Sequence, residues 1–242
     1  AAALPPVRSR LGLPPVGTAA ALRARDRQGW PVLHGFSPRV VARPRDWRRG
    51  LDVAGYWWPY DSDAPLPDEL RTFIDAGPPP VFVGLGSATV PDPARVSAEI
   101  VRALRLAGLR GVVQRGWAGL AATGDDMLTI DEVPHSALFP HMAAVVHHAG
   151  AGTTAAGLRA GVPAVPVPIQ FDETFWAARL VALGVAPCAV PLRHLTADTL
   201  GAALTEATRH AGRRERARSL GAHIRDEDGV TPVLKAVDSL SR

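Results

Sequence analysis

Five short and mostly apolar runs recur along the chain from residue 81 onward. They are 81–85, 111–114, 127–130, 143–146 and 164–167. Runs of this length are typical of buried strands, and a helical pattern between two of them predicts a βαβ unit. Right-handed crossovers place the carboxyl ends of such strands on one edge of a parallel sheet, where ligands bind. The sequence therefore predicts an α/β fold with a parallel sheet and a ligand-binding edge.

Helical patterns fill most of the intervals between these runs. Asp92 is a suitable N-cap, Pro93 suits the first helical position, and apolar residues recur at helical spacing as far as Leu104. Further helices are predicted at about 70–75, 155–160, 173–183, 198–210, 213–225 and 230–240. The predicted sheet is thus flanked by helices.

The first 60 residues lack the pattern of a complete domain. Prolines interrupt the beginning, only 19–27 has a helical composition, and short strands are predicted at 32–37 and 39–41. Residues 61–68 contain two prolines and three acidic residues and are predicted to be a linker. We therefore expect a domain boundary here, with residues 1–60 on one side and residues 61–242 on the other.

Composition narrows the classes of protein to which the chain can belong. Of 242 residues, 47% are hydrophobic and 21% are charged, a balance typical of globular domains. No apolar run approaches the roughly 20 residues that span a bilayer, and we expect no signal peptide. Cys188 is the single cysteine, which excludes an intrachain disulfide and suits a reducing cytoplasm.

The net charge of +4 is not concentrated in one basic patch. The longest series of arginines, between Arg209 and Arg218, has no aromatic residues interleaved with it, so it predicts a solvated helix face and no nucleic-acid partner.

The turn after the fourth run is rich in glycine. His147 and His148 follow the strand, and the small residues 149–154 lead into a predicted helix. A helix N-terminus presents unpaired N–H groups and a positive dipole to an anion, and glycine allows a phosphate to approach the backbone. The turn therefore predicts a phosphate site, and an ordinary βα loop with two packed histidines is the alternative.

Several motifs around this turn match one known family in order and spacing. They comprise His147, His148, Gly150, Gly152, Thr153 and Thr154, then 160–163, then Pro168, Asp172, Glu173, Trp176 and Ala177. This series resembles the donor-sugar signature of the UDP-glycosyltransferase superfamily, especially bacterial members that glycosylate natural products and sterols. The resemblance implies a GT-B fold of two facing Rossmann-like domains, of which this chain is the C-terminal, donor-binding half. Segments 35–37, 43–47 and 55–57 resemble the end of the N-terminal domain.

The resemblance also implies which residues bind the diphosphate. They are His148, Gly150, Gly152 and Thr153, with His147 in a structural role. Family members of this type need no bound metal and no cofactor, because the nucleotide sugar is the substrate.

The residues predicted to contact the nucleoside follow three other strands. Gly86 and Ser87, Arg115, and the backbone of Val133 are predicted to line the nucleotide pocket. Glu132 stands where plant relatives have a tryptophan that stacks on the base. We expect Trp117 to be a packed side chain, and stacking of its ring on the base is the alternative. A dehydrogenase is disfavoured, since Thr89 replaces the third glycine of GxGxxG.

The donor sugar is predicted to contact Asp172 and Glu173. Relatives have Asp-Gln here, and an ionised Glu173 accepts hydrogen bonds but cannot donate them. This difference leaves the sugar open, either a hexose or a deoxyhexose.

The resemblance implies an inverting transfer from a UDP- or TDP-sugar to a hydroxyl of a small lipophilic acceptor. The catalytic base is expected in the N-terminal half of the same enzyme, so no catalytic residue is predicted in this chain. A non-catalytic nucleotide-binding or partner-activating module on the same fold is the alternative.

Overall fold

The computed structural model describes residues 4–58 and 65–240. It divides the chain into two compact units, one containing Ala1–Trp57 and Asp228–Arg242 and the other containing Trp58–Glu227. Part of the predicted linker, up to residue 64, lies outside the described residues. Among the described helices, none is both long and apolar enough to cross a bilayer.

The smaller unit has little regular structure. Its first elements are helix α1 (Leu4–Arg10), helix α2 (Thr18–Arg27) and the parallel pair of strands β1 (Val32–His34) and β2 (Leu51–Val53). Helix α1 was not predicted. Its two prolines lie in the first turn, where their missing N–H groups are not needed.

The strand predicted at 39–41 is wrong. The Ser37 hydroxyl accepts a hydrogen bond from the Arg39 amide at 3.0 Å, and the Val40 amide donates to the Ser37 carbonyl at 3.0 Å. These local bonds close a turn in place of a strand.

The larger unit contains a parallel sheet of five strands. The strands are β3 (Val81–Gly84), β4 (Gly111–Gln114), β5 (Met127–Ile130), β6 (Ala144–His147) and β7 (Ala164–Pro166). Their order across the sheet is β5-β4-β3-β6-β7, and every pairing is parallel. All five predicted strands are confirmed, to within a residue at either end.

Both faces of this sheet are buried. Val81, Val83 and Val146 face a core that includes Ile100 and Leu204, while Phe82, in the middle of β3, is buried on the other face. A parallel sheet needs helices on both faces to bury its strands in this way.

Except for one short helix, the helices of the larger unit also agree with the sequence pattern. They are α3 (Asp68–Asp75), α4 (Pro93–Ala107), α5 (His135–Leu138), α6 (Ala151–Ala160), α7 (Glu173–Ala182), α8 (Ala197–Arg209) and α9 (Ala211–Arg225). The last helix, α10 (Thr231–Leu240), belongs to the smaller unit. The Asp92 carboxylate caps α4 by accepting from the Arg95 amide at 3.0 Å, as predicted. The short helix α5 was not predicted.

Candidate functional site

The order of the strands creates a crevice at the carboxyl edge of the sheet. From β3 the chain proceeds to β4 and β5 on one side, and then returns to place β6 on the other side of β3. The turns after β3 and β6 therefore lead away from each other, and ligands bind at such switch points in open α/β sheets. These two turns contain Gly86, Ser87, His148 and Gly150.

Helix α6 begins at this crevice with an uncovered N-terminus. Its N-cap is Gly150, which has no side chain to accept from the first amides, and its first turn contains no acidic residue. The amides of Ala151, Gly152 and Thr153 precede the first intrahelical bond, from Thr154 N to Gly150 O at 2.9 Å. A Cβ atom on Gly152 would meet nothing within 4 Å. This helix end has the geometry and the open space to receive an anion.

His147 supports the turn from inside the protein. Its side chain is fully buried, and its Nδ1 accepts a hydrogen bond from the Ala149 amide at 3.1 Å. Ala149 has a φ of 66°, a left-handed conformation that few residues other than glycine adopt. Burial lowers the pKa of His147 from 6.5 to about 3. A neutral His147 therefore stabilises a strained turn, in agreement with the structural role predicted for it.

His148 lies between two glycines. A Cβ atom on Gly86 would be 2.8 Å from His148 Cε1, and a Cβ atom on Gly150 would overlap His148 Nε2. Gly86 also has a φ of 59°. The two predicted binding glycines thus share one function in the folded protein, which is to make room for the imidazole ring.

Opposing effects act on the charge of His148. Burial lowers its pKa, while the negative charges of Glu173 and, less strongly, Asp172 act in the other direction, with a net pKa below the ordinary value. Its buried Nδ1 has no hydrogen-bond partner within the described part of the chain. Asp172 and Glu173 are therefore close enough to His148 to influence its protonation. That they bind the donor sugar stays a prediction.

The segment after β5 returns along the edge toward the histidines. His135, at the start of α5, stacks on Phe139 with ring centroids 4.4 Å apart and meets the edge of Phe82 in the central strand. Burial lowers the pKa of His135, and His148 adds to this effect. Val133, two residues earlier, is half-buried, and Glu132 is exposed.

The turn after β4 packs against the turn after β3. The Trp117 amide donates to the Gly86 carbonyl at 3.2 Å, and Gly116 has a φ of 51°. A Cβ atom on Gly116 would approach the Gly86 carbonyl oxygen to 2.9 Å. The expectation that Trp117 is packed is wrong, because its side chain is 72% exposed and only its backbone makes this contact.

Arg115 and Ser87 are exposed at the edge of the sheet. The Arg115 Nε lies 3.1 Å from the Asp131 carboxylate, and both side chains are largely exposed. An exposed ion pair of this kind is weak and leaves the guanidinium available to another anion.

Asp172 and Glu173 differ in their surroundings. Asp172 is exposed, and its Oδ2 accepts a hydrogen bond from the Trp176 indole at 2.7 Å. Glu173 is only 5% exposed, and its Oε2 accepts from the amides of Ile169 and Gln170 at 2.6 and 2.7 Å. No pattern in the sequence predicted these backbone contacts of Glu173.

A cavity of about 1130 Å³ opens at the opposite, amino edge of the sheet. Pro78, Gly108, His141 and Val162 are among the residues that line it. None of the predicted site residues lines this cavity, so its size does not make it the preferred site.

The geometry can be compared with known proteins. The family model described as "Erythromycin biosynthesis protein CIII-like, C-terminal domain" matches residues 87–238. The match covers more than half of the chain, and the chain therefore belongs to this family.

Curated relatives include enzymes that act on sterols and on a macrolide. The chain is 36% identical over 239 residues to sterol 3-beta-glucosyltransferase UGT80A2 of Arabidopsis thaliana, with 95% of this chain and 36% of the relative covered. It is 41% identical over 228 residues to O-mycaminosyltylonolide 6-deoxyallosyltransferase of Streptomyces fradiae, with 92% and 52% covered. The chain thus spans between about a third and about half of the length of these relatives.

Solved structures show the same fold. The glycotransferase of kitacinnamycin has a TM-score of 0.69 and 22% identity, with 97% of this chain and 65% of that chain covered. Arabidopsis thaliana UGT89C1 complexed with UDP-L-rhamnose has a TM-score of 0.64 and 17% identity, with 81% and 54% covered. The predicted fold class, a Rossmann-like parallel sheet of the GT-B type, is confirmed.

Proposed function

We propose, from its membership of the family of EryCIII-like C-terminal domains, that this chain is the donor-binding part of an inverting glycosyltransferase. Its substrate is a UDP- or TDP-sugar, held at the carboxyl edge of the sheet. The observation that carries the proposal is the open N-terminus of α6 beside His148 at the switch point between β3 and β6.

The diphosphate lies against the first turn of α6 in this proposal. The amides of Gly152 and Thr153 and the Thr153 hydroxyl are donors for its oxygens. Gly150 adds no side chain of its own to the helix end and leaves room for the His148 ring. His148 donates from the side of the crevice and, when protonated, stabilises the negative charge that develops on the leaving nucleoside diphosphate.

The nucleoside occupies the side of the crevice toward β4 and β5. Gly86 and Ser87 contact it from the turn after β3, and Val133 presents backbone groups to the base. Arg115, whose ion pair with Asp131 is exposed, adds a positive charge on the same side. The exposed ring of Trp117 is also on the turn after β4.

The sugar occupies the other side of the crevice, near the turn after β7. Asp172 is an acceptor for its hydroxyls, and Glu173 belongs to the same segment. A hexose or a deoxyhexose is the donor sugar. Relatives have glutamine at the position of Glu173. The preference of the whole enzyme for one donor sugar over another therefore has to be measured.

The transfer itself requires the N-terminal half of the enzyme. We place residues 1–60 at the end of that half and the donor domain at 61–242, although the last helix, α10, belongs to the same compact unit as the first 57 residues. An acceptor hydroxyl, deprotonated by a base in that half, attacks the anomeric carbon in line, and the nucleoside diphosphate leaves. The names of the relatives, which include a sterol and a tylonolide derivative, support a small lipophilic acceptor.

The same relatives do not favour a non-catalytic module, because they are named as glycosyltransferases. A cytoplasmic location stays a prediction that rests on the single cysteine.

Calorimetric titration of the chain with UDP and with TDP tests the proposal. We expect micromolar binding of one nucleotide, weakened by roughly 1–3 kcal/mol in His148→Ala and in Thr153→Ala, as for the loss of a hydrogen bond to a charged group. His141→Ala, an exposed histidine at the amino edge, is the control and should bind like the parent. Binding of neither nucleotide, or equal binding by all variants, contradicts the proposal.

A further inference from the structure

Glu173 makes contacts that no sugar-binding role requires. Its buried Oε2 accepts from the amides of Ile169 and Gln170 at 2.6 and 2.7 Å, and its own amide donates to the Gln170 carbonyl at 3.2 Å. The side chain thus closes the loop between β7 and α7 on itself. Short bonds to a carboxylate are stronger than bonds between neutral groups, and they occupy Oε2.

The loop that Glu173 closes has a strained backbone. Phe171 has a φ of 52°, and its ring is 88% exposed, so burial of the ring does not stabilise this conformation. A left-handed residue other than glycine costs free energy and persists where surrounding contacts hold it. The two amide bonds of Glu173, on the residues just before Phe171, are contacts of this kind.

Asp172 depends on the same loop. It is the N-cap residue of α7, it is exposed, and the Trp176 indole orients its carboxylate at 2.7 Å. Trp176 is buried, so it provides a fixed donor. The loop before Asp172 and the helix after it together determine the direction in which the Asp172 carboxylate points.

We propose that Glu173 is a positioning residue, which holds the loop of residues 168–172 so that Asp172 meets the donor sugar. The inference rests on the proposed function and changes one part of it, because Asp172 becomes the side chain that contacts the sugar and Glu173 acts through Asp172.

Amide hydrogen exchange of the free 242-residue chain tests the loop. In Glu173→Ala, the amides of Ile169 and Gln170 should exchange faster by roughly tenfold or more, since each loses a bond to a charged group. Glu173→Gln retains an acceptor oxygen and should restore much of the protection. Glu215→Gln, an exposed carboxylate on α9, is the control.

Faster exchange at Ile169 and Gln170 in Glu173→Ala, largely restored in Glu173→Gln, supports the proposal. Unchanged exchange at Ile169 and Gln170 in Glu173→Ala overturns it.

The exchange measurement needs no ligand. A chain that binds neither UDP nor TDP would contradict the proposed function, and the exchange results would still decide whether Glu173 holds the loop. If UDP or TDP binds, UDP-glucose and TDP-glucose are then compared in Asp172→Ala, Glu173→Ala and the double variant. The proposal predicts that the double variant loses no more affinity than Asp172→Ala, and additive losses would overturn it.

Discussion

His147 and His148 are neighbours in the chain, yet their rings lie in different surroundings. The strand places His147 inside the protein, where it accepts from the Ala149 amide, and the left-handed turn directs His148 into the crevice. The matched sequence motif distinguished these roles, but it did not show that Gly86 and Gly150 both pack against the His148 ring. Packing of this kind joins residues that are distant in sequence.

The buried His147 predicts a specific loss of stability in acid. Its pKa is about 3 in the folded chain and near 6.5 when unfolded, so the unfolded state takes up the proton first as the pH falls. The stabilisation is complete above pH 6.5 and declines toward pH 3. At about 1.4 kcal/mol per pKa unit, the total is on the order of 5 kcal/mol.

Urea unfolding of the chain between pH 7 and pH 4 checks this prediction. His147→Asn offers an acceptor oxygen to the Ala149 amide but does not titrate, so its free energy of unfolding should fall less steeply with acid than that of the parent. His141→Asn, in which an exposed histidine is replaced, should keep the parental slope. Identical slopes in all three proteins would show that His147 does not take part.

At the scale of the elements, helix α6 combines features that favour folding and features that favour binding. Gly161 ends the helix with a φ of 72°, as the predicted stop signal requires. Gly152, in the first turn, has no such conformational reason to be glycine, because a Cβ atom there meets nothing. Glycine lowers helix stability, and packing does not require it at this position. Its presence therefore indicates that a ligand occupies the space in front of it.

Gly152→Ala should therefore separate stability from binding. Alanine should stabilise the helix by up to about 1 kcal/mol, while its methyl group, tilted toward the helix N-terminus, should weaken binding of UDP or TDP. In the control Gly157→Ala, the added Cβ lies 3.3 Å from a Val145 methyl group under the helix, so stability is affected and binding is not. Thermal unfolding and calorimetry measure the two effects, and unimpaired binding by Gly152→Ala would refute the prediction.

The elements that sequence reasoning located were those with local causes. The strands, the Asp92 cap and the Gly161 stop follow from neighbouring residues. The strand predicted at 39–41 is absent because the Arg39 amide donates to the Ser37 hydroxyl and closes a turn. The packed position expected for Trp117 is also wrong, since its ring is exposed. The exposure of a side chain depends on residues far away in the chain.

At the scale of the whole molecule, the order of the strands in the sheet determines where the candidate site forms. A parallel sheet was predictable, and so was the placement of every βα turn on one edge. The order β5-β4-β3-β6-β7 was not predictable from spacing, although it brings the turns after β3 and β6 together and creates the crevice. The contacts of Glu173 with the backbone are a further consequence of the folded loop, since the sequence shows only an acid where relatives have an amide.

The central claim is that a nucleoside diphosphate lies on the N-terminus of α6. Mapping amide chemical shifts of the 242-residue chain during titration with UDP or TDP tests this claim most directly. We expect the largest changes at Ala151, Gly152 and Thr153, with further changes at Gly86 and Ser87 across the crevice. Changes confined to the amino-edge cavity, around Gly108 and Val162, would contradict the account.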